Sequence, residues 1–149
     1  MFAGAAAEAT AVETRSAARG LKVESVMVTS FATIPVHARL QDAVNLLLST
    51  EQREFPVVDN DGRLEGLLTR DRLIAGLSHR GPQSTVAEAM VAPVPALRVG
   101  SEFEAALDGL RTTGLPALPV VDAAGQLVGL LTMDNISDLL LVRRAVAKR

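Results

Sequence analysis

Phe55-Pro56-Val57-Val58-Asp59-Asn60-Asp61-Gly62-Arg63-Leu64-Glu65-Gly66-Leu67-Leu68-Thr69 returns as Leu118-Pro119-Val120-Val121-Asp122-Ala123-Ala124-Gly125-Gln126-Leu127-Val128-Gly129-Leu130-Leu131-Thr132. Each copy is two short apolar runs joined by Asp-x-x-Gly. Asp accepts backbone hydrogen bonds at the start of a tight turn and Gly supplies positive φ at its end, so each copy reads as a β-hairpin. Chance matching is about one position in twenty on ordinary residue frequencies. Here Pro, Asp, Gly and Thr recur as faithfully as the aliphatic residues, so the two stretches are an internal repeat.

Outward from the hairpin the offset holds at 63 residues, and Val23–Leu77 falls on Val86–Leu140 without a gap. Met27, Val36, Ala43, Leu47 and Asp71 meet Met90, Val99, Ala106, Leu110 and Asp134. Each repeat opens on a short turn, Val23-x-x-Val26-Met27 or Val86-x-x-Ala89-Met90, followed by brief extended segments at Ile34–Val36 and Leu97–Val99. The spacing of Leu40, Ala43, Val44, Leu47 and Leu48, and of Phe103, Ala106, Leu107 and Leu110, predicts an amphipathic helix before each hairpin. Ser101 with Glu104 has the form of a capping box, a signal missing at Ala38 in the first copy. A closing helix is predicted near Asp71–Leu77 and Asp134–Val142. The fold class is therefore α/β (α+β), with two β-α-β-β-α repeats. A three-stranded sheet with helices to one side leaves apolar surface uncovered, so the copies should pack face to face with pseudo-two-fold symmetry.

The expected organisation is a connector over residues 1–22, repeats at 23–78 and 86–142, a linker at 79–85 and a basic tail at 143–149. Ala3–Arg19 is rich in Ala, Glu and Arg, and Gly20 stands where a helix cap belongs. Arg143, Arg144, Lys148 and Arg149 place positive charge where it favours a helix C-terminus.

Composition narrows the function. With 48% hydrophobic residues but only four Phe and no Trp or Tyr, the core is aliphatic and stacking platforms for single-stranded nucleic acid are lacking. A net charge of -2 without a basic stripe argues against a nucleic-acid partner. The absence of cysteine excludes disulfides, thiolate zinc sites and Cys nucleophiles, and cytoplasm is the default location. The longest charge-free stretch, Ser25–Ala38, is too short and polar to span a bilayer, so no membrane contact by this segment is expected. Glu8 and Glu13 break any secretory-signal pattern. His37 and His79 are too far apart to form a helical metal pair, and phosphate-loop, nucleophile-elbow and dinucleotide motifs are missing. An enzyme is therefore not expected in this chain, nor a metal site.

Pro-Val-Val-Asp, then x-x-Gly, then Gly-Leu-Leu-Thr in a unit of about sixty residues resembles the CBS domain, and the doubling resembles the tandem pair that family uses. The resemblance covers residues 23–142. It implies a regulatory module whose inter-repeat cleft binds AMP, ADP, ATP, S-adenosylmethionine or a similar ligand, in a homodimer of pairs, and which controls an attached or partner effector. Phe2-x-Gly4-Ala5, Glu8 and the stretch ending Gly20-Leu21 resemble the connector of site-2-type intramembrane zinc metalloproteases that carry cytosolic CBS pairs. That makes such a protease one candidate effector.

The family motif continues Thr-x-x-Asp, which implies a hydroxyl near ligand phosphate or ribose and a carboxylate that accepts from both ribose hydroxyls. This chain has Arg72 at the first Asp position and Asn135 at the second. Thr132 with Asn135 is thus the better ribose site, whereas Thr69 with Arg72 is either empty or turns its guanidinium to a phosphate. Both threonines are equally suited to cap the next helix. Phe55-Pro56 and Leu118-Pro119 flank adenine-pocket walls by the same resemblance, and the prolines also suit strand starts. Arg70, with Arg53, Arg98 and Arg111, is a candidate for phosphate charge. The rival reading is a structural dimerisation domain with vestigial clefts, which the two altered Asp positions and the mean hydropathy of +0.26 favour.

Overall fold

The computed structural model describes residues 20–149. The expected connector helix Ala3–Arg19 lies outside them, and the described chain opens on Gly20 at φ +80°. After a 3-10 turn at Val23–Ser25, the first repeat runs β1 (Ile34–Pro35), α1 (Leu40–Ser49), β2 (Glu54–Val58), β3 (Leu64–Thr69) and α2 (Arg70–Arg80). The second runs α3 (Val86–Ala89), β4 (Leu97–Arg98), α4 (Phe103–Thr113), β5 (Ala117–Val121), β6 (Leu127–Thr132) and α5 (Met133–Ala147). The closing helix of the second repeat continues to Ala147, so Arg143 and Arg144 belong to its last turns.

Both sheets are three-stranded, in the orders β1-β2-β3 and β4-β5-β6, with the first pair parallel and the second antiparallel. Even the register repeats. Phe55 faces Leu68 and Leu118 faces Leu131, and a bulge follows Val57 and again Val120. The hairpin turns close as the sequence predicts. Asp59 Oδ1 accepts from the amides of Asp61 and Arg63, each at 2.9 Å, and Asp122 Oδ1 accepts from Ala124 and Gln126 at the same distance. Gly62 and Gly125 follow at φ +78° and +82°.

The two repeats exchange their opening segments. Val23 and Val26 are buried among Phe103, Leu110, Leu118 and Ile136 of the second repeat. Val86 and Ala89 are buried among Leu40, Phe55, Leu68 and Leu73 of the first. Val28 forms a two-bond bridge with Leu130 (2.8 and 2.9 Å), and Val91 forms its counterpart with Leu67 (2.8 and 3.0 Å). Each opening segment thereby extends the other repeat's sheet by one bridge. A third apolar cluster, with Leu67, Ala117 and Leu130 at its centre, lies where the sheets meet.

Gly66 and Gly129 make this exchange possible. A Cβ on Gly66 would sit 2.6 Å from the Val91 carbonyl oxygen, and one on Gly129 would strike the Met27 side chain. The exchange also corrects the expected helix capping. Leu40 and Gln41 donate to the carbonyls of Ser84 and Pro82, and Phe103 donates to that of Leu21. Helix α4 begins at Phe103 without a side-chain cap, so the Ser101–Glu104 box is not formed, and Ser101 instead presents its carbonyl to Val23 N at 2.9 Å. In the first repeat the Asp42 carboxylate accepts from Arg39 N at 3.0 Å, a cap that the sequence signal missed. Backbone of the segments leading into the other repeat, Leu21 and Pro82 with Ser84, satisfies helix-start amides that side chains were expected to serve.

Candidate ligand site

Strand β3 ends at Thr69 and β6 at Thr132, and each threonine is the N-cap of the helix that follows. Thr69 Oγ1 accepts from Arg72 N and Thr132 Oγ1 from Asn135 N, both at 3.1 Å. The capping role is therefore real. It also fixes the side chains that follow: Arg72 and Asn135 sit one turn into their helices, beside the segments contributed by the other repeat. The Asn135 amide donates to the Val26 carbonyl, tying helix α5 to the exchanged segment.

Two cavities open at these positions, with volumes of about 700 Å³ and 850 Å³. Such volumes accommodate a nucleoside-sized ligand. The first is walled by Thr132, Asp134, Asn135 and Asp138 of the second repeat and by Val28, Phe31, Ala32 and Thr50–Glu54 of the first. The second is walled by Thr69, Arg70, Asp71, Arg72 and Ala75 of the first repeat and by Val91, Pro95 and Thr113–Pro116 of the second. The walls correspond at the same offset of 63, so the cavities are pseudo-symmetry mates. Arg53 and Glu54 are common to both. Each cavity draws its walls from both repeats, so a bound molecule touches both at once.

The model of the CBS domain matches residues 23–79 and 86–142. The chain belongs to the CBS domain family. A CBS domain-containing protein of Dictyostelium discoideum is 30% identical over 131 residues, covering 80% of this chain and 90% of that one. Several other curated relatives are much larger, and the chain spans only 24% of a homoserine O-acetyltransferase of Methanohalobium evestigatum and 23% of an inosine-5'-monophosphate dehydrogenase of Nitrosopumilus maritimus. Among solved structures, CBSX2 in complex with AMP superposes with a TM-score of 0.74 at 26% identity, over 84% of this chain and 99% of that one. The cytosolic domain of the Mg2+ channel MgtE in complex with ATP superposes with a TM-score of 0.69 at 27% identity, over 79% of this chain and 48% of that one. The chain is thus a tandem CBS pair, a regulatory and non-catalytic module.

Of the residues singled out from sequence, the CBS pair brings Thr132 and Asn135 together in one cavity, and Thr69, Arg70 and Arg72 together in the other. Phe55, Pro56, Leu118 and Pro119 lie buried within β2 and β5, with Phe55 and Leu118 1% exposed in the two cores. Their neighbours Glu54 and Pro116 reach the cavity walls. Arg53 lines both cavities, while Arg111 pairs with Asp108 at 3.9 Å. His79 contacts the Ala75 carbonyl through Nδ1 at 2.9 Å, and no cluster of metal-ligating side chains occurs among the described residues. No described helix is long and apolar enough to cross a membrane.

Sequence reasoning missed Gln52, Glu54 and Asp138. Gln52 accepts from Ala32 N and donates to the carbonyls of Ala32 and Glu54, all at 2.8 Å, which clamps two walls of the Thr132 cavity together. Its mate at the repeat offset is Leu115, so the missing signal was a polar residue facing an apolar one across the repeat. Glu54 has its carboxyl held above the usual range, first by burial and then by the charge of Asp134, with Arg53 and Arg70 opposing and Asp71 adding to the rise.

Proposed function

We propose that this CBS pair is a sensor of adenine-containing ligands, and that occupancy of its inter-repeat cavities controls an effector to which the pair is attached or bound. The observation that carries this reading is the composition of each cavity wall. A ligand joins the Thr-x-x-Asn or Thr-x-x-Arg corner of one repeat to the exchanged segment and helix end of the other. Binding then favours one inter-repeat packing over others, and coupling of this kind is worth about 1–3 kcal/mol between sites. AMP bound by CBSX2 and ATP bound by the MgtE domain support the ligand class. Thr69 and Thr132 hold the corners, Asn135 serves a ribose, and Arg70 and Arg72 serve a phosphate.

The effector lies outside the described residues. The resemblance of Phe2–Leu21 to an intramembrane-protease connector nominates a membrane zinc metalloprotease with the pair on its cytoplasmic side, a reading tested by asking whether full-length chains cleave a substrate ligand-dependently. The ligand reading is tested by thermal shift with AMP, ADP, ATP and S-adenosylmethionine, followed by calorimetry. A ligand at 100 times its dissociation constant stabilises the native state by about 2.7 kcal/mol and raises the midpoint by several degrees. A folded chain that responds to none of them is a structural dimerisation domain, the reading favoured by Arg72 and Asn135 at the family's Asp positions.

A further inference from the structure

We infer that the two cavities sort adenosine derivatives by charge: the Thr69 cavity takes a phosphate-bearing nucleotide, and the Thr132 cavity takes one whose 5′ substituent is neutral or cationic. The inference rests on the sensor reading and deepens it. Pseudo-symmetry makes the comparison clean, because the cavities share their backbone frame, their threonine corner and the side chains of Arg53 and Glu54. An acidic residue also follows each threonine by two positions, Asp71 in one cavity and Asp134 in the other.

Several wall positions differ between the mates, and three of them set the charge balance around the threonine corners. Arg72 stands opposite Asn135, Ala75 opposite Asp138, and Gly114 opposite Glu51. The Thr69 cavity thus has Arg70 and Arg72 against Asp71, whereas the Thr132 cavity has Glu51, Asp134 and Asp138, with Arg53 and Glu54 lining both. A guanidinium offers a phosphate paired donors and charge, while a carboxylate at the same distance repels it. At the effective dielectric of a partly open site, one such charge within several ångströms is worth roughly tenfold in affinity. The same carboxylates attract a sulfonium or an ammonium group, and the Asn135 carbonyl oxygen accepts a ribose hydroxyl without adding charge.

The test is calorimetry on the full chain with AMP, adenosine and S-adenosylmethionine as separate probes, repeated on Arg72→Ala and on the double variant Glu51→Gln, Asp138→Asn. All three side chains are exposed, and melting curves check that both proteins remain folded. The expected result is one AMP site, weakened at least about tenfold by Arg72→Ala, and a separate S-adenosylmethionine site that the double variant weakens by a similar factor. The double variant should also open a second site for AMP. Two equal AMP sites in the natural chain, or S-adenosylmethionine binding indifferent to the double variant, would overturn the sorting while leaving the sensor intact. Failure of every probe to bind the folded chain would overturn both.

Discussion

Glu54 is the residue where the energetics of the fold and of the site meet. Its carboxyl is raised by burial between the cavities, beside Asp134 and Asp71 and only partly compensated by Arg53 and Arg70. The folded state therefore holds the Glu54 proton more tightly than the unfolded chain does. The stability this contributes is fully present below the unfolded value and is lost as pH rises through the folded one. Glu54→Gln should accordingly raise the melting temperature at pH 7 and leave it nearly unchanged at pH 4, which a pH series of thermal melts checks. Glu24 behaves oppositely, since its carboxylate accepts from Gly100 N at 3.0 Å and is held below its usual range. Gly129 and Gly66 support a second prediction. Gly129→Ala and Gly66→Ala should each cost about 1–3 kcal/mol in denaturant unfolding through overpacking. Met27→Ala should relieve the first, whose obstacle is a flexible side chain, whereas Met90→Ala should not relieve the second, because the Val91 carbonyl remains in the way.

Between elements, the exchanged segments decide what folds with what. Val23 and Val86 are fully buried, each in the core of the repeat to which it does not belong by sequence. Burying an aliphatic side chain of this kind contributes roughly 1.5–3 kcal/mol. Residues 84–149 alone lack Val23, Val26 and the bridge to Val28, so they should unfold without a cooperative transition in circular dichroism. A peptide of residues 20–32 added in trans should restore the transition. Helix capping follows the same logic, because Leu21 and Ser84 supply carbonyls to Phe103 and Leu40 across the repeats.

At the scale of the whole molecule, exposed apolar side chains remain on three helices. Leu48 on α1 is 79% exposed, Ile74 lies open on α2, and Leu141, Val142 and Val146 lie open along α5. A second copy of the pair is the partner proposed for these surfaces, in keeping with the homodimer that the family resemblance implies. Sedimentation should then find a dimer that Leu141→Glu with Val142→Asp converts to a monomer, with the melting curve of the monomer still cooperative. The proposed ligand control of an effector belongs to this scale as well, because a molecule lodged between the repeats would favour one mutual packing over another.

The hairpins, the repeat and the helix periodicities were legible in the chain because each depends on neighbours within a few residues. Asp59 and Gly62 make their turn with no help from elsewhere, and Thr69 and Thr132 cap helices three residues away. The tandem CBS frame and the two threonine helix caps were therefore written in the sequence. Contacts between distant residues were not. The exchange of Val23–Val28 with Val86–Val91, the failure of the Ser101–Glu104 box, and the entry of Gln52, Glu54 and Asp138 into the cavity walls depend on which surfaces meet. Local periodicity gives no measure of that, and only packing the two aliphatic cores against each other settles which backbone reaches which helix end.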